Sequence, residues 1–152
     1  MKKIIIVVLF FLLHLNLHPE ARNPIEISAD SMEWNKQIGQ AIATGNAKAI
    51  QDQTTLKANK IVAVLNKENS QQITELQASG NIEFFKDDQL ATGDKAIYYP
   101  KKDKVIITGN VELKRDGNII KGEKLVIDFL TGLSKMEGSD SNEKVKMKYI
   151  TE

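Results

Sequence analysis

The residues in this chain that come nearest to a catalytic pair are Asp87 and Asp88, because two carboxylates in different environments can divide the roles of acid and base. Adjacent residues on a strand point to opposite faces, and these two lie in a turn-like stretch, so the sequence predicts solvated turn carboxylates. Asp52, Asp94, Asp103 and Asp116 sit beside turn residues and read the same way. Both histidines, His14 and His18, fall in the N-terminal apolar stretch, and cysteine is absent. That removes Ser-His-Asp and Cys-His catalysis, most zinc sites and the commonest proton shuttle near neutral pH. The nine glycines are dispersed and not clustered before a helix, so no phosphate-cradling loop is expected. The sequence predicts a protein that is not an enzyme and takes no metal or cofactor.

What remains is apolar surface. Apolar and polar residues alternate, as in Val111 and Leu113 between Asn110, Glu112 and Lys114, which is the period of a half-buried strand. Parity places Met32, Trp34, Ile61, Ile82, Phe84, Tyr98, Ile107, Leu113, Leu125, Ile127 and Phe129 on one inward face. Small inward residues, among them Ala41, Ala43, Ala47, Ala49, Ala63, Ala78 and Ala96, are expected to leave room along the axis. An inward face with almost no polar group suits an aliphatic ligand better than one oriented by hydrogen bonds.

Two tracks of motifs position these strands. The first is Thr44-Gly45-Asn46-Ala47, Ser79-Gly80-Asn81-Ile82 and Thr108-Gly109-Asn110-Val111, with Gly45, Gly80, Gly109 and Gly138 spaced by 35, 29 and 29 positions. The second has Ala29, Ala58, Gly93 and Gly122 ahead of Asp30, Asn59, Asp94 and Glu123, spaced by 29, 35 and 29. Two markers that share one insertion indicate stacked units, each needing its neighbours to bury its apolar face. The insertion falls on Asn66 to Gln72, which reads as a surface loop. Glycines inside strand patterns mark bends, here from one sheet towards another. Asp116-Gly117 is a hairpin signal. The segment from Ile25 to Trp34 is ambiguous between helix and strand.

Lys2 and Lys3 precede an apolar run from Ile4 to Leu13, and small Ala21 follows as a cleavage residue, the layout of a secretory signal. The run is about half the ~20 residues that span a bilayer, which favours cleavage over a permanent anchor. Residues 1–21 thus read as a signal peptide, 22–143 as one β domain and 144–152 as a C-terminal edge strand and tail, in which Lys144, Lys146 and Lys148 alternate with apolar residues. Without the signal, 19 basic residues face 19 acidic ones. Near neutrality argues against a nucleic-acid partner, which rewards a strong basic excess.

The ordered motifs Pro24-Ile25-Glu26-Ile27-Ser28-Ala29-Asp30, Gly45-Asn46-Ala47, Leu56-Lys57-Ala58-Asn59, Gly80-Asn81-Ile82, Gly93-Asp94 and Gly109-Asn110-Val111 resemble the OstA-like lipopolysaccharide-transport family over Pro24 to Gly138. The resemblance implies an all-β protein, an open and slightly twisted antiparallel β-jellyroll whose two sheets form a V-shaped groove lined by the inward residues named above. It implies a periplasmic carrier that holds lipopolysaccharide acyl chains in that groove. The implied partners are lipopolysaccharide, OstA-like-fold components of the inner- and outer-membrane complexes, and further copies stacked head to tail. A membrane-tethered component of the same pathway and a structural β-solenoid that binds no lipid are the alternatives; the latter predicts a tightly filled interior.

Overall fold

The computed structural model describes residues 22–69, 71–139 and 144–150; the expected signal peptide lies outside them. Alternation yields strands throughout: β1 (Glu26–Ser28), β2 (Ser31–Asn35), β3 (Gln40–Gln51), β4 (Thr54–Leu65), β5 (Ile73–Lys86), β6 (Gln89–Tyr99), β7 (Lys104–Arg115), β8 (Asn118–Asp128), β9 (Leu133–Glu137) and β10 (Lys146–Lys148). The ambiguous segment is therefore two short strands. From β3 to β8 each strand pairs antiparallel with the next. Hairpins end in residues that tolerate positive φ: Asp116 and Gly117 at +51° and +76°, Asp87 and Asp88 at +49° and +61°, a backbone twist that matches the strands it joins. Asp87 and Asp88 thus serve as a turn.

Each long strand is creased in the middle. The pairing register slips between Thr44 and Ala47, Ser79 and Ile82, and Thr108 and Val111, each time across a Gly-Asn pair. Both residues of each pair have positive φ, from +79° to +82° for glycine and +45° to +50° for asparagine. A residue of the second motif track packs against each glycine. A Cβ on Gly45 would lie 2.5 Å from Asp30 Oδ2, and one on Gly80 the same distance from Asn59 Nδ2. The asparagine then donates to that neighbour: Asn46 to Asp30 at 2.9 Å, Asn81 to Asn59 at 3.2 Å, Asn110 to Asp94 at 2.8 Å. The two tracks are the two sides of one corner, which is why they share one insertion. Asp94 is accordingly a crease acceptor and not a turn carboxylate.

The two sheets expected from sequence are halves of one continuous sheet. One half carries residues 40–44, 60–65, 73–79, 95–99, 104–108 and 124–128; the other carries 47–51, 54–58, 82–86, 89–93, 111–115 and 118–122. At the N-terminal end β2 extends the first half and β1 the second. At the C-terminal end β9 and β10 do the same. The halves fold onto each other around one core containing Leu56, Ile61, Leu76, Ile82, Phe84, Ile107, Leu125 and Ile127. Each such side chain stabilises the fold by roughly 1.5–3 kcal/mol on burial, and with no cysteine in the chain this burial carries the stability.

Candidate functional site

The eleven inward residues divide into three groups. Ile61, Ile82, Phe84, Tyr98, Ile107, Leu113, Leu125 and Ile127 are 0 to 2% exposed and interlock across the halves; the Phe84 and Tyr98 rings, one from each half, lie 5.3 Å apart. Phe129 is half-buried, 6.0 Å from the Phe84 ring. Met32 and Trp34 are 58% and 63% exposed. Their repeat equivalents, such as Ile61 and Tyr98, are covered by strands on both sides, whereas among the described residues β2 pairs only with β3.

The expected room beside the alanines is found at the N-terminal end, where Ala41, Ala43 and Ala63 border a cleft. Ala43, Ala47, Ala49, Ala63, Ala78 and Ala96 are buried, in one cluster with larger side chains from both halves. Only Ala41, at the N-terminal end, is partly open. There β1 and β2 diverge, and a cleft of about 490 Å³ lies between them, lined by Ile25, Ile27, Met32, Trp34, Ala41, Ala43, Ala63, Leu65 and Ile73, with Glu33 and Gln71 among its few polar neighbours. It leads directly onto the core row of Ala43 and Ala63. Met32 and Trp34 therefore line an end-facing mouth, while eight of the other inward residues lie deeper in a closed interior.

Opposite the crease, hairpin tips of the two halves meet around a polar cluster that parity did not locate. Asp103 is not a solvated turn carboxylate. It closes a 3-10 turn, Pro100–Lys102, with φ at +46° and is buried. Its Oδ1 accepts from Lys86 Nζ at 2.5 Å and from the Tyr98 hydroxyl at 3.4 Å. The Lys86 ammonium sits 4.8 Å above the Phe129 ring. Burial pushes the Tyr98 phenol up to about 12, a rise that its hydrogen bond with Thr54 opposes and the Asp103 charge reinforces. At the C-terminal end, hydrogen bonds from Lys121 and then Lys114 hold the Glu112 carboxyl below the usual range. Among the described residues, no cluster of three or more His, Asp or Glu is arranged to hold a metal.

One antiparallel sheet, creased along its length into a roll with an apolar interior and, among the described residues, open strand edges at both ends, defines the class: an open β-jellyroll, not a closed barrel. The chain belongs to the family described as LptA/(LptD N-terminal domain) LPS transport protein, which matches residues 26–132. It is 26% identical over 121 residues to the lipopolysaccharide export system protein LptH of Pseudomonas aeruginosa, covering 75% of this chain and 68% of that protein. It is 24% identical over 131 residues to the uncharacterized protein R00383 of Rhizobium meliloti, covering 82% and 70%. The crystal structure of LptH, described as the LptA homologous periplasmic component of the conserved lipopolysaccharide transport device of Pseudomonas aeruginosa, has the same fold, with a TM-score of 0.75 at 19% identity over 84% of this chain and 96% of that one.

Proposed function

We propose that this protein is a periplasmic lipopolysaccharide carrier, exported by cleavage after Ala21, that shelters acyl chains between its two half-sheets as part of a bridge to the outer membrane. The observation that carries the reading is the apolar cleft between β1 and β2, continuous with the core, in a member of a lipopolysaccharide transport family. The physical need is plain, since each methylene exposed to water costs about 0.8 kcal/mol and several acyl chains cannot cross an aqueous space bare.

Register supports a bridge built from like units. Across the first half-sheet one outward row runs Glu33, Ile42, Val62, Gln77, Ile97, Ile106, Val126, Lys135. Across the second, the row from Glu26 passes Ile50, Thr55, Phe85, Leu90, Lys114 and Ile119 to end at Lys148. Both rows begin with an acid at the N-terminal edge and end with a base at the C-terminal edge. Head-to-tail stacking in continuous register sets Glu33 beside Lys135 and Glu26 beside Lys148 of the next copy. Unpaired edges invite such strand addition, and opposite charges disfavour head-to-head pairing.

The filled interior favours a second reading, a structural roll that takes no lipid. A photo-reactive amino acid at Trp34, activated in growing cells, separates the two. Adducts that carry lipopolysaccharide support the carrier; a folded, exported protein with no lipid adduct at Trp34, Met32 or Ile27 supports the structural roll.

A further inference from the structure

The two half-sheets are joined through the backbone along the crease. Among the described residues no backbone hydrogen bond crosses the opposite seam, where hairpin tips 51–54 and 86–89 of one half face the tip 100–103 of the other. Contacts that involve side chains close it. Lys86 and Asp103 form the central link, with side chains only 14% and 13% exposed. Arg22 and Asn23 cross the same gap as a strap. Arg22 donates to the Pro100 carbonyl and stands 4.0 Å from Asp103 Oδ2. Asn23 donates to Asp52 Oδ1 at 2.6 Å, and its carbonyl accepts from Gln51 Nε2 at 2.8 Å. An ion pair this buried adds little net stability, because desolvation offsets its attraction; its placement between an aromatic core and solvent calls for another explanation.

An acyl chain threading inwards from the N-terminal cleft must pass Ile61, Leu56 and Phe84, each at most 1% exposed. Parting the tips instead breaks no ladder bond, since every strand pairing lies within a half-sheet. The side chains uncovered are apolar, and the incoming chain covers them again. Resting on the carrier reading above, we infer that the Lys86–Asp103 seam is a lateral gate through which acyl chains enter the core sideways, between hairpin tips, with the Arg22–Asn23 strap closing over them.

Cysteine is absent from the native sequence, so the double variant Lys86→Cys, Asp103→Cys carries the only two thiols. The full exported chain is bridged between them with a short, reducible bis-methanethiosulfonate linker, and uptake of cis-parinaric acid, a fatty acid whose fluorescence rises in apolar surroundings, is followed by stopped flow. Linking should slow uptake about tenfold or more, and dithiothreitol should restore it, as expected when opening of a lid sets the rate. Uptake unchanged by the linker overturns the gate and leaves the N-terminal cleft as the route. Absence of uptake by the native protein overturns the carrier reading, and the gate with it. Lys86→Met keeps the aliphatic stem near Phe129 and removes the ion pair; it should speed uptake, and an unchanged rate contradicts the latch.

Discussion

Gly80 sits at the middle corner of the crease, and Gly80→Ala tests whether the corner depends on glycine. The backbone there has φ of +79°, and an added Cβ would lie 2.5 Å from Asn59 Nδ2, 2.9 Å from its Cγ and 3.0 Å from its Cβ. The left-handed conformation costs an alanine about 1–2 kcal/mol. The contact reaches the root of the Asn59 side chain, so swinging its tip aside does not relieve it. The side chain must leave its rotamer, at roughly 0.5–1.5 kcal/mol, and loses its bond from Asn81, worth about 0.5–1 kcal/mol where solvent competes. Together these predict a loss of about 3 kcal/mol, or about 12 °C in Tm for a domain of this size. Gly132→Ala is the control, since Gly132 has φ of +72° and no described atom within 4 Å of its Cβ position; only the backbone cost applies, about 4–8 °C. Thermal unfolding followed by circular dichroism gives both values. Adding Asn59→Ala to Gly80→Ala should recover about 1 kcal/mol as a coupling energy. Equal losses at Gly80 and Gly132, or no coupling to Asn59, would refute the corner as a packed device.

Phe84→Ala removes a ring 1% exposed and contacted from the other half by Tyr98; it should cost about 3–5 kcal/mol in urea unfolding, the range for large-to-small core changes. Tyr98, with its phenol near 12 in the fold against an ordinary 10, ionises first in the unfolded chain, so its stabilising contribution is complete below pH 10 and is lost as pH rises towards about 12. Tyr98→Phe should flatten that part of the alkaline stability profile. Glu33→Lys should weaken self-association measured by sedimentation, and Lys135→Glu in the same chain should restore it, with the native interaction weakening in salt. If Trp34 lines a lipid mouth, its fluorescence should shift to the blue on adding lipopolysaccharide, while Trp34→Ala leaves Tm within about 2 °C because the ring is mostly exposed.

The repeat, the strands and the creases were legible because each rests on a local rule: alternation for Leu125 and Ile127, positive φ for Gly45 and Gly80, turn chemistry for Asp116-Gly117. What lay beyond reach depends on what covers a residue. Met32 and Trp34 have the parity of Ile61 and Ala63, yet they lie on the outermost described strand of their half and are 58% and 63% exposed. Lys86 and Asp103 occur at hairpin tips, where alternation carries no information and a charged residue looks solvated. The partnership of the two motif tracks had a signal in their common insertion, but the pairing of Asn46 with Asp30 needs strand register, which spacing alone does not supply.

The division of the sheet at its ends has a mechanical consequence. A single strand edge is one line of attachment, and a partner bound to it can swing about that line. Here each end offers two edges, β1 with β2 and β9 with β10, carried on separate halves of the roll. A partner seated on both is held along two lines at once and keeps no freedom to roll. Such a partner is fixed in azimuth, and on the proposed head-to-tail stacking two apolar cores would meet end to end without either needing a contact in the middle.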